Sequence, residues 1–431
     1  MPSPTTTLCI LVMIDMVSVS LVVPLLHQYY KDAGVHSASQ REMLSSLYSS
    51  SQIAGGLIIG ALSDVGILSR RRILFLSFLG SALSYGLIVF GGLRNLIFSR
   101  VLVGLVKQTM TVSTSLLARY TTVETRAVAM GRLSASMTAA WILGPSVGAL
   151  LYKHVDSSAP ALTASGLFLL NSALAAILLP ADDEKEEEDS IAKRKNGPKD
   201  GRGKFASFTA NLKSCFSSPA LASAVISQLL FGWVTRTTSY ASMASFYEEK
   251  YNIEPHFRGY IKSYQQLLNF AVQSFFVRAL LTTLGGERKA ACIAAALLAL
   301  ATLCEVNANF TVFVSIVCPA VAVAVAMIGV SLRSLVTQLA PKDSLGSVLA
   351  ALDVLQNAAS VTVPFYRTLL FNLAAHYGSK DEGASMAGDP EPRIWLLWSF
   401  LHWSVFAVAM AFLLSPAVTF SRETDTQKKI K

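Results

Sequence analysis

Three residues in the first quarter of this 431-residue chain combine type and setting in a way that implies chemistry: Asp15, Arg100 and Lys107. Asp15 stands in Ile14-Asp-Met-Val-Ser-Val-Ser-Leu-Val-Val-Pro24, inside a run of otherwise apolar residues. A carboxylate at the centre of such a run costs about 3 kcal/mol on insertion scales unless it is paired, hydrated or protonated. One reading is a static ion pair holding two helices together. The other is a titrating or substrate-facing acid, whose proton affinity burial raises and a nearby cation lowers. Arg100, Gly104, Lys107 and Thr111 repeat at helical spacing, and at about 100° per residue they fall on one stripe. Two cations on one stripe among apolar residues need an anion, a water-filled cavity, or both. Asp15 is the acid available to them in the first half, so it is expected to approach Arg100 or Lys107.

The second half offers Arg236, Arg278, Asp353 and Arg367 in or near apolar runs, with Trp233, Tyr240, Gln265, Gln266, Asn269 and Gln273 as polar or stacking partners. Asp353 and Arg367 are too far apart along one helix to pair, about 21 Å at the helical rise. Cations outnumber acids in this set, which points to a cavity that tolerates an organic anion. Snorkelling of arginines to helix ends explains the same surplus equally well.

The elements that must position these groups are membrane spans. Hydrophobic residues make up 52% of the chain and charged residues only 15%, too few to cover a soluble surface of this size. Apolar runs long enough to cross about 30 Å of hydrocarbon recur along the whole length. They predict an all-α membrane protein with twelve spans: 7–26, 44–63, 73–92, 96–117, 131–152, 160–180, 219–243, 259–281, 289–307, 311–336, 347–372 and 395–416. These form two six-helix bundles, 1–181 and 219–416, joined by a charged linker, 182–218, and followed by a basic tail, 417–431. The linker runs Asp182-Asp-Glu-Lys-Glu-Glu-Glu-Asp189 and then Lys193-Arg-Lys195, a composition expected to be mostly disordered. With the N-terminus inside, most loop Lys and Arg fall on the cytosolic side, together with the linker and both termini. The net charge of +9 is thereby assigned to the membrane surface and not to nucleic acid. Cys9, Cys215, Cys292, Cys304 and Cys318 show no metal spacing, and neither a metal nor a cofactor is expected.

Several stretches resemble the major facilitator superfamily, in particular its drug/proton antiporter-like branch. Asp15 followed nine residues later by Pro24 is similar to span 1 of the tetracycline effluxers. Arg100-x-x-x-Gly104 resembles the span-4 motif that the family associates with proton coupling; Lys107 is an addition to it. Gly144-Pro145-Ser-Val-Gly148 resembles the span-5 motif seen mainly in antiporters, where small residues permit close helix contact and the proline bends the helix. The family loop Gly-x-Leu-x-Asp-Arg-x-Gly-Arg-Arg is matched by Gly60, Leu62 and Asp64, but Val65 replaces the basic residue and the arginines arrive late, at 70–72. The resemblance implies two pseudo-symmetric bundles with substrate near the midplane. It also implies a conformational latch of Gly60 and Asp64 with Arg70 or Arg71.

The reading that follows is a secondary active transporter of a small solute, proton-coupled and exchange-type, working as a monomer in the bilayer. A transporter-fold receptor or scaffold that moves little or nothing is the alternative. An integral membrane enzyme is poorly supported, since the chain carries no His cluster or nucleophile motif. Asn309-Phe-Thr311 is a glycosylation sequon close to a span. Lys428 and Lys429 near the C-terminus fit either a di-lysine retrieval signal of a eukaryotic endomembrane or a basic tail beside an anionic leaflet. Endomembrane and plasma membrane both remain open.

Overall fold

The structure, a computed structural model, describes residues 3–35, 38–64, 68–179, 215–239, 246–340, 345–378 and 391–415. Among these the regular structure is helical, without strands. Twelve long segments run in chain order. In the first half, α1 is Pro4–Asp32, α2 Ala38–Asp64, α3 Arg70–Val89, α4 Leu93–Val106 with Thr109–Arg119, α5 Val123–His154 and α6 Ala159–Leu178. In the second, α7 is Pro219–Thr238, α8 Phe257–Ala271 continuing to Thr283, α9 Glu287–Val306, α10 Phe310–Leu339, α11 Leu345–Gly378 and α12 Pro392–Leu413. Each expected span has its helix. The linker, the basic tail and its lysines lie outside the described residues.

Local chemistry fixes several helix starts. The Ser3 hydroxyl accepts from the Thr6 amide before Pro4, and the Ser218 hydroxyl accepts from the Leu221 amide before Pro219. Each supplies one partner to the unpaired first-turn N–H groups while a proline takes the position that needs none. Asn309 caps α10 in the same way, accepting from the Val312 amide at 2.9 Å. The sequon asparagine is therefore a helix cap.

Eight of the twelve segments are long and apolar enough to cross a membrane by composition. The other four, α2, α7, α8 and α11, are the more polar ones. All four meet the opposite half or line the space between the halves, where polar groups need not face lipid. Each half has its own core. Leu8, Leu11, Phe78 and Phe168 belong to the first, and Leu221, Met327, Trp403 and Met410 to the second. Leu143, Leu162, Ile177, Leu401, Val408 and Phe412 remain exposed, giving an apolar outer surface suited to hydrocarbon.

The halves meet through α5 against α8 and α2 against α11, at the end of the bundle where α1 finishes and α2 begins. Polar links join them there. The Ser146 amide donates to the Ser263 hydroxyl at 3.0 Å, and Lys153 Nζ lies 3.3 Å from His256 Nε2. Glu42 Oε1 lies 3.1 Å from Arg367 Nε. Gly259 makes the crossing possible, since a Cβ there would stand 2.3 Å from the Pro145 carbonyl oxygen. At the opposite end Val128 of α5 and Phe275 and Phe276 of α8 are exposed. One end is sealed.

Candidate functional site

Asp15 and Lys107 form a buried ion pair within the first half. The Lys107 ammonium donates to Asp15 Oδ1 at 2.7 Å, with Asp15 fully buried and the lysine side chain 12% exposed. The same ammonium sits 4.9 Å from the centroid of the Phe168 ring, a cation–π contact from α6. Asp15 Oδ2 is buried without a hydrogen-bond partner. An acceptor left open beside its counter-ion is where a proton or a water would go. The expected approach of Asp15 to the span-4 cations is thus made by Lys107.

Arg100 does not join them. It is buried, donates to the Ser99 hydroxyl at 3.2 Å, and has Tyr30 and Tyr48 within electrostatic reach.

The continuous stripe expected along span 4 is interrupted. The helix stops at Val106, Lys107 leaves helical geometry with a ψ of 85°, and a new helix begins at Thr109. The break turns Lys107 toward Asp15 and separates Thr111 from the Arg100–Gly104 face, leaving Thr111 exposed. Freed backbone groups inside a membrane must find partners in the protein. Here the Gln108 amide reaches the Ser77 hydroxyl of α3 at 3.3 Å, and that hydroxyl also bonds Thr109 Oγ1 at 3.1 Å. Sequence pattern could not disclose the break, because Val106-Lys107-Gln108-Thr109 contains neither glycine nor proline.

The motif glycines are contact points. A Cβ on Gly104 would meet Ser51 Cβ at 2.6 Å, so α4 lies against α2. On Gly144 it would stand 2.9 Å from Ser20 Cβ, and on Gly148 2.2 Å from the Leu21 carbonyl oxygen. The α5 motif therefore packs α5 closely on α1, against the Ser20 side chain at Gly144 and against bare backbone at Gly148. Pro145 lies within α5 where that helix crosses α8. Pro24 is the middle residue of a single 3-10 turn, Val23–Leu25, in α1.

Between the halves lies a cavity of about 280 Å³. Pro24, His27 and Trp141 line it from the first half. From the second half come Arg258, Lys262, Gln265 and Asn269 of α8, Thr302 and Glu305 of α9, and Trp403 of α12. Gln265 and Asn269 were expected in such a cavity. Gln266 and Arg236 are not among its lining residues; Arg236 is exposed and donates to the Gln356 carbonyl oxygen at 3.3 Å. The side chains of Gly60, Asp64 and Asp353 lie outside the described residues, so no geometry is assigned to them. Arg71 donates to the Ala176 carbonyl of α6, and Arg70 begins α3.

Four charged residues escaped the sequence reading: Glu42, Arg258, Lys262 and Glu305. Glu42 and Arg258 stand just before the predicted spans 44–63 and 259–281. Lys262 was passed over beside the amides that follow it. The available signal was the spacing 258, 262, 265, 269, which puts two cations and two amides on one helical face. Glu42 pairs with Arg367, which also donates to the Arg236 and Ser239 carbonyls and lies 5.0 Å from Trp395.

Comparison with known proteins agrees with this architecture. The tetracycline resistance protein of class D from Salmonella ordonez is 30% identical over 155 residues, 35% of this chain and 38% of that protein. The aligned region thus spans well under half the length of that curated relative. The nucleoside transporter NupG superposes with a TM-score of 0.68 at 11% identity, covering 96% of this chain and 100% of its own. The peptide transporter POT, in complex with alafosfalin, gives 0.69 at 14% identity, covering 98% and 95%. The profile of the Major Facilitator Superfamily matches residues 8–364. Two helical halves, each with its own core, meet at one end around a cavity that carries charged and amide side chains, and the chain belongs to the Major Facilitator Superfamily of membrane transporters.

Proposed function

We propose that this transporter exchanges a small organic anion against protons by alternating access, as a monomer. The observation that carries the reading is the buried Asp15–Lys107 pair at the break in α4. A carboxylate beside an ammonium stays ionised. Once solvent reaches Asp15 Oδ2, a proton can replace the lysine as its partner and release Lys107. Two charge states with different helix contacts are what coupling a proton to a conformational change requires. The resemblance of Gly144-Pro145-Ser-Val-Gly148 to a motif seen mainly in antiporters supports exchange. The cations on α8 support an anion.

With the N-terminus placed in the cytosol by the Lys/Arg bias, the sealed end faces away from the cytosol and the structure is inward-facing. In this reading Asp64, with Arg70 or Arg71, holds the opposite, outward-facing state from the cytosolic end. Asp64→Asn would then shift the equilibrium toward the inward-facing form.

Proteoliposomes holding the full chain, with an imposed pH gradient and a panel of labelled organic anions, test the proposal. Uptake that follows the gradient and disappears in Asp15→Asn is the expected result. Uptake indifferent to the gradient would remove proton coupling. Absence of flux for every solute from correctly folded protein would leave the receptor or scaffold reading in its place.

A further inference from the structure

We infer that Arg258 and Lys262 form the anchor for the acidic head of the transported solute, with Trp141 and Trp403 lining the cavity around its apolar body. The inference rests on the transport reading above and names the site that reading leaves open.

The geometry begins with α8. Arg258, Lys262, Gln265 and Asn269 follow one another at intervals of four, three and four, so they share a face. All four line the inter-half cavity. Arg258 uses one nitrogen on Glu248, at 2.5 Å, while its Nε and Nη1 are buried without hydrogen-bond partners. Lys262, one turn further into the bundle, makes neither a hydrogen bond nor an ion pair among the described residues. Asn269 Oδ1 is also buried and unmatched. Buried polar groups are almost always satisfied, and unsatisfied ones in a cavity mark where a ligand or ordered water completes the set.

The charge balance selects the ligand's sign. Arg258 is paired with Glu248, and Glu305, the acid in the cavity lining, takes a hydrogen bond from the Tyr251 hydroxyl at 3.1 Å and has the Lys250 ammonium within electrostatic reach as its counter-charge. Lys262 remains as an ammonium without a counter-ion among the described residues, next to guanidinium N–H groups without acceptors. A carboxylate offers two oxygens to such donors in one plane. The rest of the wall is largely apolar and aromatic, with Phe313 and Tyr247 beside the two tryptophans. A cavity of about 280 Å³ suits a small solute. A monoanionic, aromatic carboxylate satisfies both parts.

The test uses benzoate, with neutral benzamide and cationic benzylamine as controls, on the full-length protein in lipid nanodiscs. Benzoate is expected to raise the melting temperature in a dose-dependent way, and neither control should do so. K262Q should raise the half-effective benzoate concentration at least tenfold, and K262R should restore most of it. A second measurement needs no variant: benzoate should protect the Lys262 amine of the wild-type protein from acylation, read by mass spectrometry, and benzamide should not. Equal effects of benzamide and benzoate, no protection of Lys262, or an unchanged benzoate response in K262Q would each overturn the anchor. Counterflow separates this from the transport reading. Exchange of a neutral solute that K262Q leaves unchanged would sink the anchor and keep the transporter. Benzoate protection at Lys262 without flux of any solute would keep the anchor and sink transport.

Discussion

The carboxylate of Glu42 lies 3.1 Å from the guanidinium Nε of Arg367, one residue from each half and both almost wholly buried. Distance makes this an ion pair, yet Glu42 Oε1 and Arg367 Nε are not aligned as acceptor and donor. The guanidinium spends Nη1 on the Arg236 and Ser239 carbonyls and rests near the Phe371 and Trp395 rings. Arg367 is therefore held firmly by its own half, while its bond across the halves is electrostatic. Such a contact closes the sealed end and can still be released.

Removing one member of a buried pair leaves an uncompensated charge and costs about 3–5 kcal/mol. Glu42→Gln should thus weaken the sealed end while leaving each half's core intact. A cysteine placed at Ser263 in a background lacking the native cysteines should react faster with a membrane-impermeant thiol reagent once Glu42 is neutralised. Unchanged labelling would show that the α5–α8 contact alone keeps this end shut.

Asp15 and Lys107 invite a different comparison. Asp15→Asn alone should destabilise the protein by about 3 kcal/mol in thermal denaturation, because Lys107 keeps its charge in a buried site. The double variant Asp15→Leu/Lys107→Met removes both charges and should recover most of that stability. Flux should recover in neither. If the double variant transported normally, the pair would be structural cement and no more.

The glycines of α5 should differ in severity. Gly144→Ala brings a methyl against the Ser20 side chain, which can be trimmed, so a companion Ser20→Gly should relieve part of a loss of about 1–3 kcal/mol. Gly148→Ala meets the Leu21 backbone carbonyl, which no side-chain change removes, and should cost more. Melting temperatures of the two single variants, ranked, check this directly.

His256 gives the sealed end a pH dependence. Burial pushes its proton affinity down, Lys153 and His154 push the same way, and Glu254 opposes them. Neutral His256 can donate from Nδ1 to Glu254 Oε2, 3.1 Å away, while Nε2 accepts from Lys153. A group whose folded-state pKa is depressed below the ordinary value of about 6.5 binds fewer protons folded than unfolded, so its contribution to stability falls as pH drops below that value. Thiol labelling at position 263 should therefore rise between pH 7.5 and 5.5, and His256→Gln should flatten that rise. An equal rise in His256→Gln would assign the effect to another group.

Much of this architecture was readable from residue pattern because lipid imposes a simple rule. A run of about 20 apolar residues must be a helix, and every such run was one. Partner choice was readable where the options were few, as with Asp15. Edges were harder. α1 runs on to Asp32 and α5 begins at Val123, beyond the apolar cores of spans 7–26 and 131–152. Glu42 and Arg258 fall in the same kind of margin, since α2 begins at Ala38 and α8 at Phe257, ahead of spans 44–63 and 259–281. Lys262 was missed for a subtler reason: hydropathy averages over a turn, whereas one lysine's surroundings depend on which neighbouring helix faces it. The α4 break needed tertiary knowledge altogether, since a serine on another helix supports it.

The two halves differ in how they yield to force. In the first, α4 on α2 at Gly104 and α5 on α1 at Gly144 and Gly148 come so close that only a serine side chain or bare backbone faces each glycine. In the second, α8 and α10 each contain a five-residue π turn, Val272–Phe276 and Phe313–Val317, where one residue more than the regular helix needs is accommodated. A stack without cushioning transmits displacement as a lever, and a rod with a slack turn flexes as a joint. The half bearing Asp15 is thus stiff at these two helix contacts, with its give confined to the α4 break, and the half bearing Lys262 has its slack in α8 and α10.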